Sequence, residues 1–203
     1  MQGMPKVPLR AQDLPPGYPI SYESLLQLAD GRRVKIRPIL PSDATELAEA
    51  IRKSDPATLH SRFLGGPPRI TAAVLDGLTR LNYVSRFALV AFSRGRGVAV
   101  ARYVALPASE HGKAVAEVAV AVAPRWRQVG LATALVERLA RRAQECEITD
   151  FTALYLAENR PVTELAHDSH ARVVIAEGVA QMYTALGPLL DLPGGEWPER
   201  RGR

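Results

Sequence analysis

The chain has 203 residues, of which 47% are hydrophobic and 23% charged, a size and balance typical of one globular domain. This composition excludes a wholly disordered chain, and Cys146, the sole cysteine, excludes an intrachain disulfide and a cysteine-rich zinc site. The net charge of +5 suits anionic small ligands as well as nucleic acid and does not decide between them.

Three segments differ in composition. Residues 1–20 contain five prolines and are expected to form a leader, residues 21–190 the folded domain, and residues 191–203 a basic tail. No apolar run approaches the roughly 18 residues of a membrane span, and the N-terminus lacks the apolar core of a signal peptide. The sequence therefore predicts a cytoplasmic protein with no membrane partner.

The domain alternates between strand and helix patterns. Apolar residues at every second position predict strands, and apolar residues spaced by three and four predict helices. In chain order we predict a strand at 34–39, a helix at 46–53, helical turns at 59–63, a helix at 71–81, strands at 87–92, 98–106 and 114–122, a helix from 131, a strand at 151–156, a helix from 161, and a hairpin of 172–176 and 179–183. This order indicates a mixed α/β fold with a partly antiparallel sheet, and it does not fit a doubly wound parallel sheet.

The helix from 131 has one apolar face. Its apolar residues recur every fourth position and are Leu131, Leu135, Leu139 and Ala143. This spacing predicts a face that is buried against the sheet. Arg138, Arg141 and Arg142 lie off the stripe, and we expect these side chains to be solvated.

The segment 124–130 joins the strand at 114–122 to this helix and contains Gly130. A strand, a tight turn, a glycine and a helix N-terminus place unpaired N–H groups and the positive end of the helix dipole at the end of the sheet, an arrangement that suits a diphosphate. No Gly-Lys-Ser/Thr follows and the three-glycine spacing is missing, so the loop is neither a Walker loop nor a dinucleotide fingerprint. An ordinary strand-to-helix turn remains an alternative on this pattern alone.

Residues 127–132 (RQVGLA) resemble the acetyl-CoA loop of the GNAT superfamily, Gln/Arg-x-x-Gly-x-Gly/Ala. Further segments resemble bacterial GNAT domains related to protein lysine acetyltransferases, namely residues 30–39, 62–63, 88–91, 116–119 and 158–161. The resemblance covers roughly residues 18–185 in matching order. It implies a bent, mostly antiparallel sheet with helices on both faces. The fourth and fifth predicted strands are expected to be parallel and splayed apart.

The resemblance also implies acetyl-CoA as cosubstrate, held in the gap between those two strands. Pantetheine is expected to bond the strand backbone, and the pyrophosphate is expected on the amides of residues 128–133. The cofactor-binding residues implied in this way are Val120, Val122, Arg127, Gln128, Val129, Gly130, Leu131, Ala132, Thr133 and Asn159. No metal is expected, because His167 and His170 have no evident third ligand.

Glu117 is the only ionisable residue of the strand at 114–122, and it shares a face with Ala119 and Ala121. We expect this carboxylate to be partly buried. An alkyl ammonium, with a pKa of about 10.4, must lose a proton before its nitrogen can attack a thioester. The related lysine acetyltransferases carry their catalytic glutamate at the matching position, so the resemblance implies Glu117 as general base and a strand N–H, that of Val120, as oxyanion donor.

Two positions depart from the family pattern. Ala166 stands where many members carry the tyrosine that protonates the leaving thiolate. His170 and Ala171 stand where the family reads Gly-Phe, and glycine there allows a left-handed helix stop. We therefore expect the last helix to end irregularly.

Three function classes follow. The first is an acetyl-CoA-dependent N-acetyltransferase acting on a primary amine, with a protein lysine as one candidate acceptor. The second is a non-catalytic acyl-CoA-binding module, suggested by the expected irregularity at 167–171. The third is nucleic-acid binding, which ranks last because no helix-turn-helix pair and no aromatic stacking platform is evident.

Overall fold

The computed structural model of the chain describes residues 14–53, 69–107 and 114–187. Its strands are β1 (Ser24–Gln27), β2 (Arg33–Pro38), β3 (Arg86–Ser93), β4 (Arg96–Ala105), β5 (Val115–Val122), β6 (Asp150–Leu156), β7 (Arg172–Ala176) and β8 (Val179–Ala185). Its helices are α1 (Ala44–Lys53), α2 (Ala72–Thr79), α3 (Leu131–Glu145) and α4 (Arg160–Asp168).

The predicted strands and helices within the described residues are confirmed, with shifts of a few residues at their ends. β1 was not predicted, because Leu25 and Leu26 are adjacent in its four residues and leave no alternating pattern. The helical turns expected at 59–63, most of the leader and the basic tail lie outside the described residues.

The strands form one eight-stranded sheet in the order β1-β2-β3-β4-β5-β6-β8-β7. Every neighbouring pair is antiparallel except β5 and β6, which are parallel. The parallel pairing covers three positions and stops at Glu117 and Thr152. Beyond that point β5 continues to pair with β4 as far as Val122, and β6 continues to pair with β8 as far as Leu156. The two strands therefore splay apart, which confirms the predicted mostly antiparallel sheet with one splayed parallel pair.

The larger hydrophobic cluster lies between the sheet and α3. The four apolar residues of the α3 stripe are each no more than 1% exposed and pack on strand residues such as Phe87, Tyr103 and Phe151. Burying each leucine of the stripe stabilises the fold by roughly 1.5–3 kcal/mol, so the stripe fixes α3 on the sheet. The predicted buried face of this helix is confirmed.

The expectation that Arg138 and Arg142 are solvated is wrong. Arg138 is 4% exposed and its Nη1 donates to the Ala134 carbonyl at 2.9 Å. Arg142 donates from Nε and Nη2 to the Tyr83 carbonyl at 3.1 and 3.0 Å. Both arginines lie three residues after a stripe leucine, so they share the side of the helix that faces the sheet.

A smaller cluster lies on the opposite face of the sheet, where Ala88 and Val90 alternate with the β3 residues of the larger cluster. Leu47 of α1 packs against it. The turn before α1 is held by Asp43, which accepts two hydrogen bonds of 2.7 Å from Arg37 and one of 2.8 Å from the Leu40 amide. Helices therefore cover both faces of the sheet. Among the described helices, none is long and apolar enough to cross a membrane.

Candidate active site

A cavity of about 640 Å³ lies where β5 and β6 separate, with α3 and α4 forming its walls. Most of the lining is apolar and includes Phe151, Ala153 and Met182. The predicted cofactor-binding residues that line it are Val120, Val122, Arg127, Gln128, Gly130, Leu131, Ala132, Thr133 and Asn159. Val129 does not line the cavity but packs against the core. The structure therefore brings nine of the ten predicted residues to one cavity.

The loop between β5 and α3 carries a row of unused backbone donors. A 3₁₀ turn at Pro124–Trp126 leads into the loop, where Gln128 and Gly130 have φ of 59° and 81°. Within the described part of the chain, the amides of residues 128–133 make no hydrogen bond. They coincide with the positive end of the α3 dipole, so this end of the cavity suits an anionic group such as a diphosphate.

Arg127 is exposed and its guanidinium turns back to the end of β5. Its Nε donates to the Val122 carbonyl at 3.2 Å, a bond that ties the loop to the strand. The Val122 carbonyl is therefore already engaged at the point where the sequence predicted a backbone contact with pantetheine. Val120 lies on the β5 edge that faces the cavity and is half-buried.

Glu117 lies at the last paired position of β5 and β6, opposite Val104 on β4 and Thr152 on β6. Its side chain is exposed, and the β5 part of the cavity lining begins one residue later, at Val118. The expectation that this carboxylate is partly buried is therefore wrong. Along β5 its neighbours on the same face are Val115 and Ala119, and they leave the Glu117 side chain exposed. The role of Glu117 as a base stays a prediction.

The end of α4 is regular, so the expected irregularity is wrong. His170 has φ of 54°, the left-handed conformation that glycine adopts at a helix stop. The Ala171 amide donates to the Ala166 carbonyl at 3.0 Å, the bond that closes such a stop. The helix therefore keeps the usual geometry with a histidine in the position of a glycine, and Asn159, at its start, remains at the cavity wall.

The sequence did not predict the contacts that Arg32, in the β1–β2 turn, makes with the loop between β5 and α3. Trp126 lines the cavity, and the Arg32 guanidinium stacks on its ring with Cζ 4.1 Å from the ring centroid. Arg32 also donates from Nη1 to the Arg125 carbonyl at 2.8 Å. The two partners are 93 residues apart, and neither periodicity nor a local motif relates them.

The sequence model of the acetyltransferase (GNAT) family matches residues 59–169. An acetyltransferase of Pseudomonas aeruginosa is 32% identical to the chain over 142 residues, which are 68% of this chain and 74% of that protein. The family match contains the cavity loop and the two strands beside it.

Solved structures show the same architecture. The GNAT domain of S. lividans PAT has a TM-score of 0.75 and 28% identity, and the likeness covers 83% of this chain and 99% of that one. The Salmonella typhimurium protein yncA, solved with its cofactor acetyl-CoA, has a TM-score of 0.62 and 19% identity. This likeness covers 76% of this chain and 95% of that one. At that identity the second likeness shows the fold alone. Since the family match contains both splayed strands and the loop between β5 and α3, the chain belongs to the acetyltransferase (GNAT) family.

Proposed function

We propose that this protein is an acetyl-CoA-dependent N-acetyltransferase that transfers an acetyl group to a primary amine, with a protein lysine side chain as the candidate acceptor. The observation that carries the proposal is the row of unused amides at residues 128–133, at the mouth of the cavity between the splayed strands. We assign the activity to residues 21–190.

The volume of the cavity and the arrangement of its polar and apolar walls both suit acetyl-CoA. Its volume of about 640 Å³ is within the usual range for small-molecule sites. Six amides and a helix N-terminus suit the diphosphate, and the apolar walls suit the pantetheine chain. Among the described residues, the β5 edge after Glu117 has no strand partner on the cavity side, so its backbone at Val120 is open to a pantetheine amide.

Glu117 is the proposed general base. Its carboxylate accepts a proton from the acceptor ammonium, and the neutral nitrogen then attacks the thioester carbonyl. A C–N bond forms, the C–S bond breaks with its electron pair on the CoA sulfur, and the second proton lost by the nitrogen passes to that thiolate or to solvent. A thiol pKa near 8.5 makes that thiolate an adequate leaving group, so the absence of a tyrosine at Ala166 is compatible with the reaction. The exposure of Glu117 supports an acceptor that approaches from solvent, as a lysine on a protein surface does.

The first experiment is a calorimetric titration of the protein with acetyl-CoA and with CoA, followed by a turnover assay on amines and lysine peptides. We expect saturable binding in the micromolar range. Glu117→Gln should lower turnover about 10²–10⁴-fold and leave acetyl-CoA affinity unchanged, because the carboxylate is needed for proton transfer and lies outside the cavity. Glu177→Gln, a change of the same type in the exposed β7–β8 turn, is the control. Equal turnover in the two variants would remove Glu117 from the mechanism.

A second candidate function is a non-catalytic acyl-CoA-binding module. The position of Glu117 outside the cavity lining is the observation that favours it. This candidate predicts acetyl-CoA binding without an acetylated product on any amine or peptide. Product that depends on Glu117 would exclude it.

A further inference from the structure

The turn between β1 and β2 reaches the loop that precedes α3. Gly31 has φ of 82° in this turn, and the Leu28 and Arg32 backbones close it with a hydrogen bond of 2.8 Å. Asp30 braces the turn by accepting from the Arg32 amide at 3.0 Å. The turn thereby places the Arg32 guanidinium beside Arg125 and Trp126, at the carboxyl end of β5.

Each nitrogen of the Arg32 guanidinium has a protein partner. Nε and Nη2 both contact Asp30 Oδ2 at 2.5 Å, and Nη1 donates to the Arg125 carbonyl at 2.8 Å. The flat face of the group covers the Trp126 ring at 4.1 Å. Because all three nitrogens contact protein groups, the guanidinium links the β1–β2 turn to Arg125 and Trp126.

The held groups belong to the cavity loop. Trp126 is half-buried, packs against the larger core cluster and lines the cavity. Two residues after it, Gln128 adopts the left-handed conformation, which is energetically unfavourable for a residue with a Cβ. A loop with such a cost needs external contacts to keep its amides aligned, and the contacts to Arg125 and Trp126 supply them.

We propose that Arg32 is a positioning residue for the diphosphate-binding loop: through the Arg125 carbonyl and the Trp126 ring it holds the amides of residues 128–133 in the arrangement that binds acetyl-CoA. The inference rests on the proposed function for its ligand. It assigns a binding role to the β1–β2 turn, which the family motif between β5 and α3 does not contain.

The test is calorimetric affinity for acetyl-CoA in three variants. Arg32→Gln should bind about tenfold more weakly, because it loses both the stacking and the charge-assisted bond. Arg32→Lys should also bind several-fold more weakly, since an ammonium keeps the charge but does not stack flat while bridging Asp30 and Arg125. Arg33→Gln removes the same charge from the next residue, which is exposed, and should bind within twofold of the parent.

A second readout does not depend on acetyl-CoA. In a Trp197→Phe background Trp126 is the single tryptophan, and its fluorescence should change in Arg32→Gln and not in Arg33→Gln. Parent-like affinity in Arg32→Lys would show that charge alone matters and would overturn the proposal. Equal affinity in Arg32→Gln and Arg33→Gln, or an unchanged Trp126 signal, would overturn it too. If the parent protein binds no acetyl-CoA, the proposed function fails, while the fluorescence still decides whether Arg32 contacts the Trp126 ring.

Discussion

His170 shows how one residue keeps a local geometry at an energetic cost. Its φ of 54° is a conformation in which an L-residue with a Cβ is strained by about 1–2 kcal/mol. The hydrogen bond from the Ala171 amide to the Ala166 carbonyl and the burial of Ala166 hold the chain there. This hydrogen bond and this burial therefore offset the backbone strain at His170.

We expect His170→Gly to stabilise the protein by about 0.5–1 kcal/mol, because the strain removed exceeds the extra entropy of a glycine in the unfolded chain. For a chain of this length that corresponds to a rise of about 1–4 °C in Tm, measured by calorimetry. His167→Gly, inside α4, is the control and should destabilise by a few tenths of a kcal/mol, the difference between histidine and glycine in helix propensity. A fall in Tm for His170→Gly would show that the imidazole makes contacts worth more than the strain.

The loop between β5 and α3 illustrates the same backbone constraint for a whole element. Gly130 has φ of 81° and is the residue before α3, yet a Cβ on it would meet no atom within 4 Å. Glycine is needed there for conformation and not for space. Gly95, in the β3–β4 turn, has φ of 76° and the same open surroundings, but it does not line the cavity.

Substitutions at these two glycines distinguish an effect on stability from an effect on acetyl-CoA binding. Gly130→Ala and Gly95→Ala should each lower the free energy of unfolding by about 1 kcal/mol, since both force alanine into the left-handed region. Only Gly130→Ala should weaken acetyl-CoA binding, because its loop carries the amides for the diphosphate. Urea denaturation and calorimetric titration measure the two quantities. Weaker binding in both variants, or in neither, would contradict a binding role for the loop backbone.

Across the whole molecule, two sets of aromatic contacts join the segment before β1 to the rest of the fold. Tyr18 packs edge-on to Tyr83 with centroids 5.5 Å apart, and Tyr22 packs on Phe87 at 5.4 Å, with Tyr103 following at 5.8 Å from Phe87. Burial, reinforced by the nearby Asp43 carboxylate, raises the pKa of Tyr83 from its ordinary 10 to about 12. Desolvation likewise raises the pKa of the other three tyrosines, Tyr18, Tyr22 and Tyr103.

These shifts predict alkaline sensitivity. A tyrosine whose pKa is higher in the folded state contributes full stability below pH 10, and the contribution falls as pH rises from 10 towards 12, because the unfolded chain ionises first. We therefore expect the free energy of unfolding in urea to be lower at pH 11 than at pH 8. Tyr83→Phe should be less stable than the parent at pH 8, because it loses the hydrogen bond to the Ile39 carbonyl. Its free energy of unfolding should, however, fall less than the parent's between pH 8 and pH 11. Tyr183→Phe, a change at an exposed tyrosine, should keep the parent's pH dependence. A parent free energy of unfolding that is the same at pH 8 and pH 11 would contradict the raised tyrosine pKa values.

Local patterns predicted most of the elements and most of the candidate site. Strand alternation, the α3 stripe and the loop containing Gly130 depend on residues within a few positions of one another, so the sequence displays them directly. The resemblance then supplied the ligand and the candidate base. The predicted burial of Glu117 was wrong because strand parity shows which side chains share a face but not what covers that face.

The sequence by itself determined the order of strands and helices, the glycine loop before α3 and membership of the family that this order and loop indicate. Tertiary structure alone decided where β5 and β6 stop pairing, how exposed Glu117 is, that Arg138 is buried, and that Arg32 holds Arg125 and Trp126. The physical reason is separation along the chain: these features depend on contacts between residues that are distant in sequence, and such contacts exist only after the sheet has assembled.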